Sequence, residues 1–183
     1  MTPTTTNKMV TAMFRDKQKS DIAYQWLKTR GYGDKDINVL MSAKTRSSFH
    51  ASGDDQGRVN VGSHTAEGAA TGGAIGTTIG AVAAAIAAIG TSIVIPGLGL
   101  IVAGPIAAAL AGAGAGAVVG GAVGGLVGMG IPESNAKAYE KVLTDGGVVL
   151  GVIARTDADI EVIKEHFKNH GGENVVTSNC TNC

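Results

Sequence analysis

The chain has no excess of either charge: 15 Lys and Arg are matched by 15 Asp and Glu among 183 residues. The basic footprint of a nucleic-acid binder is therefore missing. Cysteine is nearly absent, with only Cys180 and Cys183 close to the end, so folding does not rest on a disulfide framework. Proline counts 4, and the 28 glycines follow no G-X-Y period, which excludes a collagen-like chain. Aromatic residues make up only 4% and charged residues 16%, yet apolar residues reach 44%, which argues against simple disorder. The opening MTPTTTNKMV lacks an apolar run with a cleavage site, so no secretory signal is read and a cytoplasmic start is expected.

The sharpest absence is local. From Gly68 through Pro132 there is no Asp, Glu, Lys, Arg or His, and no Phe, Tyr or Trp. Every aromatic residue lies in the flanks, where large rings can anchor a soluble core. The composition therefore divides the chain. Residues 1–63 and 132–177 read as two halves of one module, 64–131 as an insert, and 178–183 as a Cys-bearing tail.

The flanks read as alternating strands and helices. Met9 to Phe14 is a short apolar strand, and Asp16 or Ser20 can cap the helix that follows. Ile22, Ala23, Trp26 and Leu27 share one helical face, and Gly31 ends the helix. Ile37 to Met41 is a second strand, and residues 43–63 read as a polar loop. Beyond the insert, Pro132 and Glu133 open a helix with Ala136, Tyr139, Val142 and Leu143 on its apolar face. Gly146 and Gly147 stop it, and Val148 to Ala154 is apolar enough for a central strand. Asp157 is expected to cap a helix carrying Ile160, Ile163 and Phe167, ended by Gly171 and Gly172, with Val175 and Val176 in a last short strand. The fold class expected is α+β. Its order is a ferredoxin-like βαβ-αβαβ module split by a long Gly/Ala-rich helical hairpin, with two helices on one sheet face and the other free for contacts.

The insert has a period. Gly68, Gly72, Gly76 and Gly80 recur every four residues, with Ala84 and Ala88 continuing the row. Gly112, Gly116, Gly120, Gly124 and Gly128 repeat the spacing, with Gly104 and Ala108 before them. Residues four apart share a helical face, and two such faces permit the close backbone approach of small-xxx-small packing. Pro96, Gly97 and Gly99 are expected to form the turn between the arms. Glycine costs about 1 kcal/mol relative to Ala inside a helix, so lipid, a partner helix or further copies must offset it. Each arm, at roughly 25 residues, is long enough to cross a bilayer core. Two features oppose a full crossing. Aromatic belts and flanking Lys or Arg are missing, and the turn segment Ile93 to Val102 is apolar. A phosphate-loop reading fails because Gly72–Gly76 lacks the Lys-Ser/Thr pair.

Few residues suggest chemistry. His166 and His170 lie four apart and, with Cys180 and Cys183, could supply a His₂Cys₂ zinc set. The plainer reading places His170 at a helix C-terminus and His166 in solvent, so no metal and no cofactor is expected. The CxxC ending is not positioned at a helix N-terminus that would lower a thiol pKa. Asp54, Asp55, His50 and His64 read as solvated loop residues, and no triad or carboxylate pair stands out.

The segments VTAMFRDKQKSDIAYQWLKTRGYGDKDINVLMS and GIPESNAKAYEKVLTDGGVVLGVIARTDADIEVIKEHF resemble the two halves of the bacterial general stress protein 17M-like, or heat-induced stress protein, family. The resemblance spans nearly the whole chain apart from the polar start and the NCTNC tail, which departs from the family pattern. It implies a stress-related protein with a ferredoxin-like module, and it brings no catalytic residues.

The function expected is non-enzymatic. In the first reading the glycine-zipper hairpin associates with the lipid bilayer, the module stays in the cytoplasm, and the chain self-associates. In the alternative, the apolar hairpins of many copies pack into a soluble cytoplasmic particle or filament. A third reading is a small-molecule sensor on the sheet face. Nucleic acid is not expected as a partner.

Overall fold

The computed structural model describes residues 8–51, 82, 92–95, 99–105, 107, 121–128 and 130–179. Their elements, in chain order, are β1 (Lys8–Phe14), α1 (Lys17–Thr29), β2 (Ile37–Ser42), α2 (Ala43–Ala51), β3 (Ser92–Ile95), β4 (Leu100–Ala103), α3 (Gly121–Gly128), α4 (Glu133–Thr144), β5 (Val148–Ile153), α5 (Asp157–Asn169) and β6 (Glu173–Asn179). The class is mixed α/β with an antiparallel sheet. Six strands lie in the order β3-β4-β2-β5-β1-β6, every neighbouring pair antiparallel.

Helix boundaries follow local chemistry. Asp16 accepts a 2.8 Å bond from the Gln18 amide and caps α1, and Gly31, at φ +82°, turns the chain out of it. For α5 the cap is Thr156, which accepts from the Asp159 amide at 3.1 Å. Asp157, the expected cap, is instead the first helical residue, where its charge favours the positive end of the dipole. The expected loop after β2 is also corrected at its start. Residues 43–51 form α2, because Ser42 Oγ accepts from the Thr45 amide at 3.0 Å and satisfies one orphan donor.

Strand alternation sorts the core to two faces. On the first, Val10, Ala12 and Phe14 of β1 and Val148, Leu150 and Val152 of β5 meet Ala23, Tyr24 and Leu27 of α1 and Ile160, Ile163 and Phe167 of α5. Phe14 and Phe167 meet edge to face, 5.6 Å between centroids. On the second, Met9, Met13, Leu40, Leu100, Val102 and Val149 lie under Tyr139, Val142 and Leu143 of α4 and Leu126 of α3. The sequence pattern placed Ile22 on the buried face of α1, but Ile22 is 48% exposed. The helix is rotated so that Ser20, Asp21, Ala23, Tyr24 and Leu27 point inward.

The expected helical hairpin is corrected at its turn, while most of its two arms lie outside the described residues. Around its expected turn, β3 and β4 form a β-hairpin, and β4 adds to the edge of β2 from Val39↔Ala103 to Ser42↔Leu100. Ile93, Val94, Ile95, Ile101 and Val102 are β-branched and suit a sheet better than a helix. The hairpin also supplies partners for the outer edge of β2, which would otherwise carry unpaired backbone groups. Gly99 (φ +59°) sits at the turn, and its carbonyl accepts from the Ala43 amide at 2.7 Å.

Candidate association surface

At Gly104 the chain leaves β4 with φ +106°, and a Cβ there would lie 2.5 Å from the Ile37 carbonyl oxygen. Only glycine permits that approach. The chain then passes to the second face, where Ala107 is 1% exposed. Val82, just beyond the first glycine row, is fully buried on the first face. The described ends of the two arms thus lie on opposite faces of one sheet.

Val82 is held by a residue that sequence reasoning missed. The Asp21 carboxylate, fully buried on α1, accepts a 3.0 Å hydrogen bond from the Val82 amide. A buried carboxylate is tolerated only where donors replace water, so this contact ties the insert to α1. The signal in the sequence was slight: Asp21 sits beside Ala23 and Tyr24 and looks like a surface residue of an amphipathic helix.

Of the expected zipper glycines, Gly124 and Gly128 are described; Gly68, Gly72, Gly76, Gly80, Gly112, Gly116 and Gly120 lie outside the described residues, as do Pro96 and Gly97. The two described glycines belong to α3. Leu126 turns inward and is 2% exposed, and Val127 is 41% exposed. Among the described residues, a Cβ at either Gly124 or Gly128 would meet nothing within 4 Å. This helix therefore buries one side against α4 and the sheet, with Gly128 exposed and Gly124 half-buried on the side away from Leu126. The following Gly130 is different. It has φ +86°, and a Cβ there would lie 2.5 Å from the Asn179 carbonyl oxygen. That close approach pins the α3–α4 junction to the end of β6.

The sheet face expected to be free is covered. The Tyr139 hydroxyl of α4 donates to the Asn174 carbonyl at 2.7 Å and accepts from Thr11 Oγ1 at 3.0 Å. Burial, partly offset by the Thr11 hydroxyl, raises its pKa to about 12, so it stays a neutral donor.

The two histidines are brought together in a ring stack. Trp26 of α1 and His166 stack in parallel with centroids 3.8 Å apart, and His170 stacks on His166 at 4.0 Å. Arg30 lies over the other part of Trp26 at 4.9 Å. His166 is half-buried rather than in solvent, and its Nε2 lacks a hydrogen-bond partner. Burial, then the neighbouring His170 and Arg30, lower its pKa to about 4. Lone pairs of stacked rings do not converge on one ion. Cys180 and Cys183 lie outside the described residues. Among the described residues no group of three potential metal ligands occurs.

A second polar node closes the α1–β2 turn. Arg155 donates to the Gly31 carbonyl at 2.6 Å and to Asp36 at 3.0 Å, and stacks over Tyr32 at 4.5 Å. Its contacts are all internal, so it reads as a brace. Among the described residues no helix is long and apolar enough to cross a membrane.

Comparison with known proteins returned nothing: no family model, curated protein or solved structure matches this chain. The resemblance to the heat-induced stress protein family rests on the quoted segments alone.

Proposed function

We propose that the protein is a non-enzymatic, stress-related association module that binds copies of itself through its glycine-rich insert. The observation that carries this is the glycine side of α3, where no described atom lies within 4 Å of a Cβ added at Gly124 or Gly128 and Val127 beside them is exposed. Two such faces allow close helix approach with many backbone contacts. The order β2-β5-β1-β6, with α1 and α5 on one face, supports reading the flanks as a ferredoxin-like module. The insert then enters between β2 and β5. Docking of β3, β4 and Val82 onto the module favours assembly of whole modules, as a particle or filament, over a detached hairpin.

A second reading is association with lipid. It is favoured by the uncharged run from Gly68 through Pro132, which carries little insertion penalty. Replacing Gly116 and Gly120 by Leu, with Gly124→Leu as a separate variant, tests the zipper. Loss of higher oligomers in light scattering is expected, and unchanged oligomers refute it. Partition separates the two readings. Release from membranes by alkaline carbonate, as a large uniform species, fits packing between copies. Retention in the washed pellet fits integration in lipid.

A further inference from the structure

A different surface lies at the far side of the sheet. β6 is the terminal strand, and among the described residues nothing pairs with its outer edge. It carries one charged residue, Glu173, at its first position, and no Lys or Pro; its irregularity, at Asn174 with φ +48°, is confined to the start of the strand and leaves Val176 to Asn179 in regular register. Beside it runs α5. Its Ile160, Ile163 and Phe167 point into the core, and His166 and His170 face α1 through the Trp26 stack. Helical geometry then leaves Asp157, Glu161, Lys164 and Lys168, spaced by four, three and four, on the side above β6. Asp157, Glu161 and Lys164 line a groove of about 400 Å³ with Thr177 and Asn179 of β6 and Lys8 of β1.

The order of charge along this stripe is two acids, then two bases; within one chain Asp157 pairs with Lys8 and Glu161 with Lys164, both at 2.9 Å, and such exposed pairs are weak enough to exchange partners at little cost. Such a stripe is self-complementary when two copies run antiparallel: Asp157 meets Lys168 of the second copy, and Glu161 meets Lys164. The two-fold axis then falls between Glu161 and Lys164. The middle of β6 is Val176, three residues before Asn179, or about 10 Å along the strand. About 10 Å along α5 from Asp157, which sits near Asn179 through Lys8, is the turn around Ile163. Strand and stripe therefore share one centre. Neighbouring strands are about 4.8 Å apart. With α5 lying over β1 and β6, the two copies of α5 come to rest about 10 Å apart, the usual helix-packing distance.

We propose that this edge is a two-fold interface with a second copy of the chain. β6 pairs antiparallel with its counterpart about Val176, and the α5 stripes neutralise each other above the joined sheets. The surface is separate from the glycine face of α3, so either can fail alone. The same charge order also complements the helix dipole, and the test separates the two roles.

The test uses the full chain with Cys180→Ser and Cys183→Ser, and Val176→Cys as probe. Directly opposed residues of an antiparallel pair suit disulfide geometry, so oxidised glutathione should yield a linked dimer. D157K/E161K makes the stripe all positive, and K164E/K168E makes it all negative. Each alone should cross-link at least tenfold more slowly than the parent, and an equimolar mixture should recover the parent rate as heterodimer. A dipole role alone gives no recovery on mixing. If a charge variant does not fold, as judged by circular dichroism, the salt dependence of the parent decides. Its cross-linking should slow severalfold between about 0.05 and 0.5 M NaCl. Absence of a Val176→Cys dimer, equal rates in the charge variants, or no recovery on mixing would overturn the proposal.

Discussion

Replacing His166 by Phe should change how stability depends on acid. In the folded protein the ring lies between Trp26 and His170, with Arg30 across the stack. Burial first, then the neighbouring His170 and Arg30, lower its pKa from 6.5 to about 4. The unfolded chain therefore takes up this proton at higher pH than the folded one. The neutral ring contributes fully above about pH 6.5. Its contribution falls as pH drops below that value and levels off under about pH 4. Each tenfold change in proton affinity is worth about 1.4 kcal/mol. The whole gap would exceed 3 kcal/mol, but the ring is only half-buried and water screens part of the repulsion. A loss of about 1–2 kcal/mol between pH 7.5 and pH 4.5 is the expected share of His166. His166→Phe keeps a planar ring against Trp26 and removes the titration. The chain has a single Trp, so urea unfolding followed by its fluorescence reports the stack directly. The variant should lose about 1–2 kcal/mol less than the parent over this interval. Equal losses in both proteins would refute the account of the stack.

Asp21→Ala leaves the buried Val82 amide without its acceptor, and an unsatisfied buried donor costs about 1–3 kcal/mol. Urea midpoints should fall accordingly, and protease cleavage near Val82 should become faster. Gly130→Ala should destabilise by at least about 1 kcal/mol, since both φ and the Asn179 carbonyl oppose a side chain. Gly124→Ala, by contrast, should be neutral or slightly stabilising, because no described atom lies within 4 Å of the added Cβ and Ala is the better helix former; a melting temperature well below the parent's would contradict this placement of Gly124. Tyr139→Phe removes a donor to Asn174 and an acceptor for Thr11, and should cost about 1–2 kcal/mol by denaturant titration.

The module was legible where period and punctuation agree. The four inward residues of α4 and the three of α5 follow helical spacing, and Gly31, Gly146 and Gly171 take positive φ at helix ends. Errors arose where neighbours outvote the local pattern. Ile22 is apolar yet exposed, while polar Asp21 is buried, because the partner of α1 at that point is a backbone amide from the insert. The α2 helix has a weak apolar face and is started by one serine hydroxyl, which a polar run conceals. In the insert, a four-residue glycine period outweighed the β-branched runs on either side of Pro96. The sheet edge of β2, invisible in a linear reading, decided in favour of strands. The histidine spacing showed that both rings share a face. It could not show that Trp26 fills the space an ion would need.

The pairing of β2 with both β4 and β5 sets an order of events during synthesis. Ser42 leaves the ribosome long before Val148 does. At about 5–20 residues per second, several seconds separate the strand from its central neighbour. The β3–β4 hairpin emerges within that interval and is the first sheet partner that β2 can find. A half-built sheet of β2, β4 and β3 would then wait with its other edge open until β5 arrives between β2 and β1. The insert thus stands between the halves in time as well as in sequence, and the nascent chain is most exposed to chaperones, or to another nascent copy, during that delay.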